Sequence, residues 1–412
     1  MTDFCSKRVS ETARNFIEAE RRFGAHTYHP LDVVVARGQG VWLEDVDGRR
    51  YLDCISAYSA LNQGHCHPRI REALIAQADR VSLTSRALYN DQLGPLLEKL
   101  VAYCGAEMAL LVNTGGEAVE TAIKLVRRWG YRVKGIPKDR ARIVVAANNF
   151  HGRSTTAISA SSVPQYRADF GPFTPGFDLV PFGDFGALEA VFGPETCAFM
   201  IEPIQGEGGV HVPPAGYLEA AAALCRARNV LFVAEEVQTG FGRTGDRFAV
   251  DHHGIVPDLF VVGKALGGGY YPVAGVLGSR ALLKLFGPGD HGSTFGGNPL
   301  ACAVASASLD VIVEERLAER ARERGAQIIS ALRAIGSPLI REVRGRGLLI
   351  GVELTTPARP VAEALLNEGI VAKETHDLVL RIAPPCVIEP GEAALIAPAL
   401  ERALARAAEG AR

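Results

Sequence analysis

Between residues 108 and 264 the chain repeats one pattern, a short and almost wholly apolar run followed by turns or by a longer stretch with a single apolar face. The runs are MALLV (108–112), ARIVVAA (141–147), CAFMIEP (197–203), VLFVAEE (230–236) and DLFVVGK (258–264). The clearest amphipathic partners are GEAVETAIKLVRRW (116–129) and YLEAAAALCRARN (217–229). Strands with no polar alternation are those buried on both faces, so the pattern predicts a largely parallel sheet covered by helices. Outside it, VWLEDVDGRRYL (41–52) sets Asp47-Gly48 between two strand-like runs, a hairpin signal. Asn298-Pro299 reads as an N-cap and first helical residue. GLLIGVEL (347–354) and LVLRIAPP (378–385) read as strands, and 391–408 as a terminal helix. The expectation is an α/β fold: a large domain over 61–300 with a mostly parallel central sheet, and a smaller α+β domain assembled from 1–60 and 301–412.

At 412 residues there is ample chain for a buried core. The 44 Lys and Arg nearly balance 46 Asp and Glu, so no long-range field draws the chain to nucleic acid or an anionic membrane surface. Small molecules and copies of itself are the expected partners. Eight cysteines are scattered with no CxxC pair, which reads as reduced thiols and a cytoplasmic chain. Met1 to Arg21 mixes Asp3, Lys7, Arg8, Glu11, Arg14 and Glu18 among apolar residues and fits neither a signal nor a transit peptide.

Three features carry chemistry. Asn113-Thr114-Gly115-Gly116 lies between an apolar run and a helix, so free backbone N–H groups and the helix dipole converge where a phosphate fits; a plain strand-to-helix turn has the same look. Lys264 follows an apolar run directly and meets the glycines 267–269. A desolvated lysine loses its proton readily and condenses with a carbonyl, although a lysine snorkelling from a strand end is the commoner case. Glu235 and Glu236 end another apolar run, where one carboxylate could hold a proton on a heteroaromatic nitrogen or simply be solvated. Gly240, Gly242 and Gly245 spell GxGxxG, but no helix-like apolar face follows. His65-Cys66-His67 has no further ligand cluster nearby, so no metal is expected, and Asp251-His252-His253 reads as a solvated loop.

An anion cradle, a strand-end lysine and a strand-end acid together are what pyridoxal phosphate requires. With the segments HTYHPLDV, SAYSALNQGHCHP, NTGGEAVETAIKL, NFHGR, EPIQGEGGV, EEVQTGFGRTG, GKALGGGYYPV, HGSTFGGNP, VAKETH and LRIAPP in this order, the chain resembles the class III, fold type I pyridoxal-phosphate aminotransferases, most closely the ornithine δ-aminotransferase branch. The resemblance implies roles position by position. Lys264 matches the lysine that holds the cofactor, Gly115 and Gly116 the backbone donors to its phosphate, and Thr294 the threonine that reaches the neighbouring subunit's phosphate, which implies a homodimer. Phe150 matches the aromatic on the pyridine ring and Gln238 the side chain near the phenolic oxygen. Tyr28 and Arg153 would hold the ornithine carboxylate, and Tyr58 would fill the pocket. Arg381 matches an anchor for 2-oxoglutarate and Glu207 the carboxylate that pairs with Arg381 and releases it, where a permanent ion pair is the alternative; Glu202 matches a supporting carboxylate. Glu235 departs from the pattern, standing where the class carries aspartate, with Glu236 pointing to the other side. The implied reaction is transfer of the δ-amino group of L-ornithine to 2-oxoglutarate, giving glutamate 5-semialdehyde and glutamate. Acetylornithine or 4-aminobutyrate as donor, or a weakly active cofactor-binding protein because of Glu235, are the alternatives.

Overall fold

Fifteen strands organise the computed structural model, which describes residues 9–410. Asp3, Cys5, Lys7 and Arg8, used above in reading the first residues, lie outside the described part. The first three strands are β1 (Val35–Gln39), β2 (Trp42–Asp45) and β3 (Arg50–Asp53). The middle seven are β4 (Met108–Val112), β5 (Arg142–Ala146), β6 (Phe177–Val180), β7 (Thr196–Ile201), β8 (Leu231–Glu235), β9 (Leu259–Val262) and β10 (Ala274–Gly278). The last five are β11 (Ile340–Arg346), β12 (Leu349–Leu354), β13 (Ile370–Val371), β14 (Lys373–Thr375) and β15 (Val379–Ile382).

The middle strands form one sheet in the order β4-β10-β9-β8-β7-β5-β6. Its pairs from β9 through β6 are parallel, while β10 runs antiparallel to both β4 and β9. Consecutive side chains of a strand enter opposite cores: Val144, Phe199, Phe232 and Phe260 pack on one face, and Ile143, Val145, Ala198, Met200, Val233 and Val261 on the other. All ten are buried, which explains the absence of polar alternation in the sequence. β6 and β10 have no clear signal in the sequence: FDLV is interrupted by an acid, and three of the five residues of AGVLG are glycine or alanine. Gly275 and Gly278 are required there because a Cβ would stand 2.6 Å from the Leu110 carbonyl oxygen of β4 at the first and 2.6 Å from that of Asp258, just before β9, at the second.

The expected hairpin is β2–β3, with Gly48 at φ +78° in its turn. The remaining strands tie the two ends of the chain together, since β13 pairs in parallel with β3 and the sheet order is β1-β2-β3-β13. The order β11-β12-β15-β14 makes a third sheet. Asn298 caps the helix Pro299–Glu314 by accepting from the Ala301 N–H at 2.8 Å, as the Asn-Pro pair predicts.

Three expectations are corrected. The terminal helix is two pieces, Pro390–Ala393 and Ile396–Gly410. Asp251-His252-His253 is no solvated loop: it closes a 3-10 turn in which Asp251 accepts from the Phe248 N–H, His252 contacts the Thr244 carbonyl and His253 contacts Glu219. Cys66 sits at φ +54°, so His65-Cys66-His67 is not extended; His65 pairs with Asp53 and His67 with Glu315, each imidazole serving as a separate anchor. Of the GxGxxG glycines, Gly242 packs against Leu317 and Ala318 and Gly245 against Arg322, while Gly240 packs against the Glu236 carbonyl and Phe248.

Candidate active site

Ligands of open α/β sheets settle outside the carboxyl ends of the strands, where loops from successive strands meet. Here Asn113 follows β4, Phe150 and His151 lie beyond β5, Glu202 follows β7, Glu235 ends β8 and Lys264 lies two residues past β9. A cavity of about 400 Å3 opens among Asn113, Thr114, Gly115, Lys264, Tyr270 and Tyr271, and Ala57, Ala60 and Leu61 also line it.

The Gly115–Trp129 helix starts where the sequence stops favouring strand. Thr114 caps it, accepting from the Glu117 N–H at 3.2 Å, and Asn113 is held by Glu117 and by the Ser293 hydroxyl at 2.7 Å. The first-turn N–H groups have no acceptor within the helix. Glycine at 115 is required by contact, since a Cβ there would stand 2.9 Å from Val237 Cγ1, whereas Gly116 meets nothing closer than Thr114 Oγ1 at 3.9 Å.

Lys264 occupies φ +45°, a strained position for a lysine, and is only partly exposed. Burial pulls its ammonium below the usual lysine range and Arg381 adds to this, while Glu207, Glu235 and Glu202 oppose. Glu235 is buried; its Oε1 accepts from the Val237 N–H at 2.9 Å and its Oε2 lies 3.3 Å from His151 Nδ1. Glu236 turns the other way and accepts from the Ala249 and Val250 N–H groups and the Thr239 hydroxyl. Burial nevertheless lifts Glu236 to about 7. Glu202 accepts from the Phe150 N–H at 2.9 Å, and burial, reinforced by Glu235, holds its proton affinity well above the ordinary carboxylate range.

A second group lies beside the lysine. Arg381, almost fully buried on β15, forms an ion pair with Glu207 and lies 5.2 Å from the Tyr58 ring centroid. Burial alone would raise the Glu207 pKa, but Arg381, Lys264 and Gln238 hold it down to about 2. Gln238 Nε2 donates to Glu207 and to the Tyr58 carbonyl, both at 3.1 Å, which leaves Gln238 Oε1 buried without a partner. Tyr58 belongs to a left-handed turn of four non-glycine residues, Ser56–Ser59, with φ between +47° and +67°. Asp53 Oδ1 holds the turn by accepting from the Ile55 and Ser56 N–H groups, and the Ser56 hydroxyl donates to the Ala383 carbonyl. Strain of this kind persists only where the surroundings over-determine it.

Other expected site residues lie further out. Arg153 is exposed, with its guanidinium 3.9 Å from the Tyr166 ring centroid and 5.4 Å from that of Phe150, and has no carboxylate partner among the described residues. Tyr28 is 77% exposed in the single chain, close enough to Tyr58 to affect its titration. Arg359 fixes the backbone beside Tyr28 by donating to the His29 and Pro30 carbonyls. Thr294 is exposed one residue from Ser293, which touches Asn113. Sequence reasoning assigned no part to His151, although it sits inside the NFHGR segment; nor to Tyr270 and Tyr271, whose place after the glycine run was the available signal.

These residues fit pyridoxal phosphate: a glycine at a helix start and a desolvated lysine line one cavity, a buried acid acts on that lysine, and the Gln238 oxygen is buried without a partner. Residues 23–404 match the family described as Aminotransferase class-III. The chain therefore belongs to the class III aminotransferases, enzymes that depend on pyridoxal phosphate. It is 56% identical to an ornithine aminotransferase of Brevibacillus brevis over 372 residues, 90% of this chain and 93% of that protein. Its fold superimposes with a TM-score of 0.95 on the ornithine aminotransferase of Toxoplasma gondii, at 43% identity over 97% of this chain and 95% of that one; pyridoxal phosphate partly occupies the active site of that structure. The acetylornithine aminotransferase of Elizabethkingia anophelis gives 0.88 at 44% identity, over 96% and 99%.

Proposed function

We propose that this chain moves the δ-amino group of L-ornithine to 2-oxoglutarate, releasing glutamate 5-semialdehyde and glutamate in a ping-pong cycle. The observation that carries the reading is the Glu207–Arg381 pair packed against Tyr58 and felt by Lys264. A donor with amines at both ends must present the distal one. A free guanidinium near the lysine would attract the α-carboxylate and present the wrong amine, so a counter-charge that can leave suits a site with two unlike substrates. Glu207 occupies Arg381 while ornithine is bound and yields it to the diacid. Tyr28 and Arg153 take the ornithine α-carboxylate, for which a guanidinium offers a planar fork.

When bound, pyridoxal phosphate supplies a carbonyl that carries the amino group between substrates and a ring that withdraws electrons from the reacting carbon. Lys264 would hold it covalently, and its amine would serve as the base that moves the proton at the substrate carbon. The Gly115 and Gly116 N–H groups and Thr294 of a neighbouring copy would hold its phosphate, Phe150 and Gln238 would help hold its ring, and Glu235 would keep its nitrogen charged. A site completed by Thr294 makes a homodimer the working unit. The domain division 61–300 against 1–60 with 301–412 is part of the same proposal, supported by the β3–β13 pairing across the chain ends. A cytoplasmic setting is supported by the seven described cysteines, all free. No described helix is long and apolar enough to cross a membrane.

A single-turnover screen of amine donors tests the substrate. Ornithine should discharge the cofactor's visible colour fastest; equal or faster discharge by N-acetylornithine or 4-aminobutyrate would contradict the assignment.

A further inference from the structure

Three buried side chains converge at the carboxyl ends of β5, β7 and β8, and the amine-transfer reading uses only one of them. Donor atoms of His151, Glu202 and Glu235 all lie within 4.8 Å of one another. The His151 side chain is fully buried, with Nδ1 facing Glu235 Oε2 at 3.3 Å and Nε2 without a hydrogen-bond partner. Two carboxylates this close and this far from water cannot both stay charged at modest cost, and such a pair commonly keeps one proton between them. The neighbouring charges are Lys264, which favours ionisation of Glu202, and Glu207, which opposes it.

Hydrogen-bond donors decide which carboxyl keeps the charge. Glu235 has the Val237 N–H on one oxygen and the imidazole on the other, whereas Glu202 has the Phe150 N–H alone. Burial and the charge on Glu235 push the Glu202 carboxyl in the same direction, toward its neutral form. We infer that His151 and Glu202 are positioning residues for Glu235: the imidazole donates through Nδ1 to Glu235 Oε2, and Glu202 holds the pair's proton, so that the single negative charge rests on Glu235. This deepens the pyridoxal-phosphate reading and rests on it. An acid that keeps a heteroaromatic nitrogen protonated serves only while it is ionised, and the two-donor grip fixes the orientation of a side chain with one more rotatable bond than aspartate. Glu202, by accepting from the Phe150 N–H, also ties the same cluster to the backbone of the aromatic residue.

Two measurements test this. Infrared difference spectra of the cofactor-free protein should contain the carbonyl stretch of a buried protonated carboxylic acid that disappears in Glu202→Gln; a spectrum unchanged by that substitution would overturn the inference. Titration of the apoprotein with pyridoxal phosphate should give Glu202→Gln an affinity within a few-fold of wild type. His151→Leu should lose about ten- to hundredfold, the size expected for one donor to a charged acceptor. His151→Asn, which keeps an N–H donor near the Nδ1 position, should recover most of that loss. Equal binding by the Leu and Asn variants would overturn the role given to His151, and the infrared result stands independently of how well His151→Leu folds. Wild-type protein that takes up no pyridoxal phosphate would instead defeat the underlying amine-transfer reading, and with it the role of the cluster.

Discussion

At position 235 one methylene decides between two views of the protein. If the surroundings are fitted to glutamate, Glu235→Asp withdraws the carboxylate from the Val237 N–H or from His151 and lowers kcat by about 10- to 100-fold, the scale of a misplacement near one ångström. A rise in kcat would mean that the longer acid impairs the site. Position 207 gives a prediction with a sign in pH. Its carboxyl is held at about 2 against an ordinary 4.5, so its stabilisation is complete above pH 4.5 and is lost as the pH falls from there toward 2. Thermal unfolding of wild type and Glu207→Gln should therefore differ most above pH 5 and converge in acid. The same substitution should also erode the preference for ω- over α-amines, read from the two kcat/KM values. At residue scale, Lys264 and Glu235 stand out in the sequence because a lysine and a glutamate ending apolar runs conflict with burial, whereas Glu207 and Arg381 are named only through the resemblance. The sequence hid His151, which is brought to the cluster by a 3.3 Å contact with a residue 84 positions away.

The loop elements that shape the cavity are governed by contact and by backbone strain. Gly115→Ala places a methyl group 2.9 Å from Val237 Cγ1, so it should weaken cofactor binding by about tenfold or more, and Gly115→Ala with Val237→Ala should recover much of the loss. Failure of the double variant to recover would show that the effect is not steric. The left-handed turn Ser56–Ser59 is a stronger constraint. Proline cannot adopt the φ of +47° found at Ala57, so Ala57→Pro should destabilise the turn by about 3 kcal/mol or more and displace Tyr58. Both a lower Tm and a loss of ornithine selectivity are expected, the first by calorimetry and the second by donor competition. Elements with one strong signal were readable in advance: the apolar parallel strands, the Asp-Gly hairpin, the Asn-Pro helix start. The turn at 56–59 was not, because its conformation is imposed by Asp53 and by the Ala383 carbonyl, which stands more than three hundred residues along the chain.

Across the molecule, the central sheet brings the carboxyl ends of β4, β5, β7, β8 and β9 to one edge, where Asn113 and Lys264 line the cavity, while the β3–β13 pairing ties the two ends of the chain together. Arg381 on β15 reaches Glu207 after β7, a pairing that the resemblance implied and that no local pattern of residues could show. Exposed apolar side chains complete the picture: Tyr89 is 100% and Leu88 66% exposed, and Phe295, beside Thr294, is 47% exposed. A second copy covering them would bury this patch and complete the phosphate site. The particle in solution should then have about twice the 44.0 kDa mass of one chain, and Tyr89→Glu should lower both that mass and the affinity for pyridoxal phosphate. The reading as a whole stands on the amine of Lys264, and reduction of the cofactor-loaded protein with borohydride followed by peptide mapping tests it directly. One modified peptide is predicted, carrying the pyridoxyl group on Lys264 and absent from Lys264→Ala; a label on another lysine, or no label at all, would contradict it.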